Sequence, residues 1–135
     1  MHLEQINLLA VLAAAMANFA IGGLWYSPYL FGNAWKRANA FDDSDLARGS
    51  PRVIFGVAFV LCLVMAANLA AFLGGAEVTP GFAIAASLAA GLGWAAAGLG
   101  VVALFERRSV AYILINGGYL TVSFVAMGLI IALWR

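Results

Sequence analysis

Charge is what this 135-residue chain has least of: 10% of its residues are Asp, Glu, Lys or Arg, against about 25% in an ordinary soluble chain. Four stretches have none at all: Gln5 to Trp35, Val53 to Ala76, Val78 to Phe105 and Ser109 to Trp134. Each exceeds the roughly 20 residues that cross a hydrocarbon core of about 30 Å. With 65% of its residues hydrophobic, a chain this short has no soluble fold that hides four such segments from water. The fold class is therefore an all-α membrane protein. We expect a single integral domain over 1–135, with transmembrane helices at about 6–26, 51–73, 80–104 and 109–134.

The same scarcity excludes chemistry. Arg52 at the very edge of the second span apart, no Asp, Glu, Lys, Arg or His lies within a spanning segment, whereas proton relays and ion-coupled sites need an ionisable group at membrane depth. The small four-helix multidrug exporters are similar in size but depend on a membrane-embedded glutamate, and Glu4 lies too near the terminus to stand in for one. The one histidine, His2, is terminal, so no Ser-His-Asp or Cys-His constellation is expected. The one cysteine, Cys62, excludes a disulfide framework or a cysteine metal cluster within one chain. A net charge of +1 without a basic patch predicts no nucleic-acid partner. The expected protein is not an enzyme and carries no cofactor or metal.

What charge there is sits between the spans. Lys36, Arg37, Arg48 and Arg52 follow the first span, and Arg107 and Arg108 follow the third; the loop between the second and third has only Glu77. By the positive-inside rule the loops at 27–50 and 105–108 are cytoplasmic and both termini lie outside, with Arg135 alone against the pattern. Ala15-Met16-Ala17 resembles a leader cleavage site, but MHLEQ lacks a cationic n-region, so the first segment reads as a retained helix.

The three prolines all follow a hydroxyl residue: Ser27-Pro28, Ser50-Pro51 and Thr79-Pro80. Such a hydroxyl accepts from a free N–H at a helix start, and proline suits the first helical position. Ser50-Pro51 should open the second span and Thr79-Pro80 the third. Ser27-Pro28 should restart a helix over about 28–39, with Leu30, Phe31, Ala34, Trp35 and Ala38 on one side and Lys36 and Arg37 on another. That amphipathic pattern predicts an interfacial helix, rings toward lipid and cations toward headgroups. FDDSDLARG lacks the ligand spacing of a calcium loop and reads as an aspartate-capped turn closed by Gly49.

Polar residues inside the spans fall in stripes. Tyr112, Asn116, Tyr119 and Ser123 share one face of the fourth helix; Ser87, Gly91, Trp94 and Gly98 repeat that spacing on the third. Asn7, Asn18 and Trp25 line the first, and Asn68 lies on the second with Met65 and Cys62 near it. Two readings stay open. The stripes are either interhelical contacts or a polar pocket lined by Asn18, Asn68, Trp94, Tyr112, Asn116, Tyr119 and Ser123.

One stretch has the character of a motif. In INLLAVLAAAMANFAIGGLWYSPYLFGNAW at 6–35, Trp25, Tyr26, Ser27, Pro28, Phe31, Gly32 and Trp35 match W-Y-S-P-x-x-F-G-x-x-W, and NGGY at 116–119 lies within the last span. The chain resembles, over almost its whole length, the bacterial membrane family known as domain of unknown function 1761. The resemblance implies a four-helix bacterial inner-membrane protein and carries no activity with it. From the residues we expect function through helix–helix contacts, in the bilayer, as a homo-oligomer or an accessory subunit of a membrane complex. The alternative is a small transporter or channel for a neutral or weakly polar solute, not proton-coupled through a buried carboxylate.

Overall fold

A computed structural model describes residues 3–134; His2 and the exceptional Arg135 of the topology argument lie outside the described residues. Among these residues there is no strand, and four helices are long and apolar enough to cross a membrane. They are α1 (Leu8–Trp25), α4 (Pro51–Leu73), a third span over Pro80–Phe105, and α7 (Val110–Leu133). The third span is composite: α5 (Pro80–Ala90), a π-helical stretch (Gly91–Ala96) and α6 (Ala97–Phe105). Between the first two spans lie α2 (Gly32–Asn39) and the single turn α3 (Asp43–Leu46).

Helix starts follow the hydroxyl residues. Ser50 accepts from the Val53 N–H and Thr79 from the Phe82 N–H, each followed by proline in the first turn. Ser109 and Asn7 cap α7 and α1 in the same way. Asp42 and Asp45 form a reciprocal capping box at α3, and Gly49 follows with φ +80°.

The Ser27-Pro28 pair behaves differently. The Ser27 hydroxyl donates back to Leu24 O at 2.6 Å, closing the end of α1 instead of capping a new helix. Residues 28–31 form a turn in which Leu30 and Gly32 N–H both donate to Ser27 O, and Phe31 N–H donates to Trp25 O. The helix expected from Pro28 therefore starts only at Gly32. A Cβ there would lie 2.5 Å from Tyr26 O and 2.7 Å from Ser27 O, so glycine lets the chain fold back on itself. Its ring orientation also differs from expectation: Trp35 is half-buried, edge-on to Tyr26 (5.6 Å) and Phe41 (5.4 Å), not turned to lipid.

α7 is the hub. α1, α4, the third span and α2 all pack on it, and α1 also packs on α4. The core is made largely of small residues: Ala14 and Ala15 from α1, Ala66 and Ala70 from α4, Ala83 from α5 and Ala132 from α7, around Leu73, Met127 and Ile131. Lipid tails are as apolar as leucine, so association depends on close backbone approach, which alanine permits. The third span rests on α7 along Ala83, Ser87, Gly91, Ala96 and Ala103. The steps of four, four and five in that ridge show where the π turn adds a residue and rotates the helix phase.

Candidate functional site

The most concentrated polar chemistry lies where α1 ends against the early part of α7. Asn18 is fully buried; its Oδ1 accepts from the Tyr119 hydroxyl at 2.5 Å, and its Nδ2 points to Met65 Sδ at 3.8 Å. One turn further along, the Tyr26 hydroxyl donates to Asn116 Oδ1 at 2.6 Å, and Asn116 Nδ2 donates to Tyr112 O. The two tyrosine rings meet edge to face, 5.5 Å apart, so the two Tyr–Asn pairs form one unit. Trp25 completes it by donating its indole N–H to Ile115 O at 2.9 Å.

Two glycines make room for these rings, one on each helix. A Cβ at Gly22 of α1 would touch the Tyr119 ring at 3.3 Å, and a Cβ at Gly118 of α7 would sit 3.0 Å from Trp25 Cζ2. Each helix thus seats an aromatic ring in a notch of the other. Phe31 folds over Trp25 at 4.7 Å and Trp35 over Tyr26, so the turn after α1 closes the unit from the basic end of the bundle. Arg108 lies over the Tyr112 ring at 5.1 Å.

The residues of the sequence stripes are not all gathered here. Asn18, Asn116 and Tyr119 are, though the asparagines are joined through tyrosines and not to each other. Tyr112 contributes its backbone carbonyl. Ser123 is fully buried on the same helix, with no hydrogen-bond partner for its Oγ among the described residues; Ser87 is in the same position on the third span, against Gly128. Trp94 lies elsewhere. It is 80% exposed, because the π turn carries it off the Ser87–Gly91 face that regular spacing assigned to it. Asn68 is exposed too, facing away from the bundle, its Nδ2 donating to Val64 O of its own helix.

Sequence reasoning gave Tyr26 only as a member of the W-Y-S-P motif and outside the polar stripes; the structure makes it a central member of the polar unit. The signal was available, since Tyr26 follows Asn18 and Gly22 at successive steps of four on one helix face. Of the stretch around it, Trp25, Tyr26, Ser27, Phe31, Gly32 and Trp35 each make a specific contact, while Tyr29 is 90% exposed.

Chemically the unit is closed. The Trp25 indole N–H and the Tyr26 and Tyr119 hydroxyls all donate inside the bundle, and Asn116 Nδ2 spends one hydrogen on Tyr112 O. At the other end of the bundle, a cavity bordered by Gln5, Asn7, Ala10, Ala70, Gly74, Ile131 and Trp134 holds about 10 Å³, room for about one water. No curated protein and no solved structure matches this chain. A family model matches residues 9–132, and the chain belongs to the family that it describes as protein of unknown function, DUF1761.

Proposed function

We propose that this chain works through lateral helix–helix contacts in the membrane, as a homo-oligomer or as an accessory subunit of a membrane complex, without catalysis of its own. The observation that carries this reading is the division between inner and outer polar groups. Inside, the amide carbonyls of Asn18 and Asn116 accept from the hydroxyls of Tyr119 and Tyr26. Outside, the second and third spans turn features toward lipid that packing within one chain does not use. Asn68 is exposed, and Gly56, Gly81, Gly93 and Gly98 have open space where a side chain would be. Glycine and polar residues on a lipid-facing surface favour contact with another helix.

The solute-pathway alternative receives less support, because the polar stripe that would line it is bonded to itself. We place the protein in the bacterial inner membrane, with both termini outside and the basic loops cytoplasmic, on the charge asymmetry of the loops. Purification in mild detergent, followed by mass spectrometry and mass measurement of the particle, tests the reading. A stoichiometric membrane partner or a defined homo-oligomer is expected; a monomer with no partner at any protein-to-lipid ratio overturns it.

A further inference from the structure

The outer face of α4 carries a regular pattern. Ile54, Val57, Leu61, Val64 and Asn68 follow one another at steps of three and four, the spacing of a heptad seam. This face lies opposite the one that packs into the core through Cys62, Ala66, Leu69 and Leu73. Ile54, Val57, Leu61 and Val64 are each more than half exposed. Asn68 is exposed at the far end of the same stripe. Its Nδ2 uses one hydrogen on Val64 O, and its Oδ1 accepts from nothing among the described residues. An amide carbonyl facing hydrocarbon is costly and calls for a donor.

We infer that this face is the contact surface of a two-fold homodimer, in which α4 pairs in parallel with α4 of a second copy and Asn68 pairs with Asn68. The choice of a second copy rests on the amide itself. A carboxamide is both donor and acceptor, so it is self-complementary. Copies that share the topology proposed above have parallel α4 helices, and a two-fold axis along the membrane normal sets each seam position against its own counterpart. That arrangement puts an amide opposite every Asn68, whereas a helix of unrelated sequence has to supply one at the matching depth. A single asparagine in an apolar seam also fixes register, since any slip leaves two amides in lipid. The inference rests on the lateral-contact reading above and names its partner and surface.

The test uses the full chain in lipid vesicles, in a Cys62→Ala background, with Asn68 kept and single cysteines placed along 53–66. Oxidative cross-linking should peak at 54, 57, 61 and 64 and fall to background at 58, 62 and 66. In the chain with native Cys62, Asn68→Val should weaken association about three- to thirty-fold, the range measured for buried polar pairs between membrane helices, and Asn68→Gln should restore part of it. Asn68 is exposed and its one side-chain hydrogen bond stays within α4, so an unchanged thermal melt of the Asn68→Val monomer verifies that folding is intact. Cross-links confined to the third span, or association unaffected by Asn68→Val, overturn this surface while leaving lateral contact in place. Wild-type protein that is monomeric and partnerless overturns both.

Discussion

At the scale of single residues, the Tyr–Asn pairs make a double-mutant cycle informative. Tyr119→Phe removes the hydroxyl that donates to Asn18 Oδ1 and leaves that fully buried amide carbonyl without its donor. The expected loss is about 1 kcal/mol, between the modest mean for intramembrane pairs and the larger cost of a stranded buried acceptor. Asn18→Leu combined with Tyr119→Phe should cost less than the sum of the two single changes, because neither partner is then left without the other. Reversible unfolding in mixed micelles measures all four variants. Equal and additive losses would show that the hydroxyl and the amide do not act together. Tyr26→Phe should behave like Tyr119→Phe through Asn116, and its effect should be coupled to it because the two rings touch.

At the scale of elements, the third span sets two neighbouring glycines against each other. A Cβ at Gly91 would lie 2.8 Å from Phe124 Cβ and 3.1 Å from Thr121 Cα, so Gly91→Ala must push this span off α7, at a cost of about 1–3 kcal/mol. A Cβ at Gly93 meets nothing, so Gly93→Ala should leave the melting temperature unchanged or raise it slightly, by the better helix propensity of alanine. A regular α-helix would turn Trp94 inward with Gly91, whereas the π turn leaves it outside. Here lies the limit of what the sequence conveys. Uncharged length and Ser/Thr-Pro caps reveal the spans and the starts of α4 and α5, because both depend on local chemistry. A π turn leaves no composition signal, and without it the phase of Trp94 comes out wrong. Asn68 escapes for another reason: an asparagine reads the same whether it faces a bundle or its outside, and only the packing of α4 on α1 and α7 decides. Ser27 shows a third. Its hydroxyl has two competing acceptor and donor sites within four residues, and the tight Gly32 turn selects the backward one.

The small α3 turn has its own pH behaviour. Hydrogen bonding from the Ser44 hydroxyl, then from the Asp45 backbone, holds the Asp42 carboxyl below its ordinary range. A carboxyl with a depressed folded-state pKa contributes above its unfolded value and loses that contribution as pH falls through the folded one. Amide exchange at Asp45 should therefore be protected at neutral pH and accelerate, beyond its intrinsic pH dependence, only in the acid range below the ordinary carboxylate pKa. Asp42→Ala should show the faster exchange at neutral pH, and the difference should close in acid as wild type loses the same bond.

At the scale of the whole molecule, the ends of the bundle are chemically unlike. The turn after α1 and the start of α7 meet through Trp25 with Ile115 and Tyr26 with Asn116, which brings both basic loops to one end. At that end Arg107 adopts φ +61° and donates to Leu104 O and Phe105 O, and Arg108 pairs with Glu106, so both cations are held close to the end of the third span. Lys36 and Arg48 are each tied to the α3 aspartates. Cations fixed within a turn of a span end are those that resist translocation, so they should decide the orientation. In a Cys62→Ala background, cysteine in place of Glu77 should react with a membrane-impermeant maleimide on intact bacterial cells. Cysteine in place of Ser44 should react only after permeabilisation. The opposite pattern would invert the topology, and labelling of both sites on intact cells would mean that two orientations coexist. Orientation bears on the dimer as well. A dual-topology population places about half of its α4 pairs antiparallel and separates Asn68 from Asn68 in them, so labelling of both sites should go with a cross-linking yield at position 54 reduced to about half, and a single labelling pattern with the full yield.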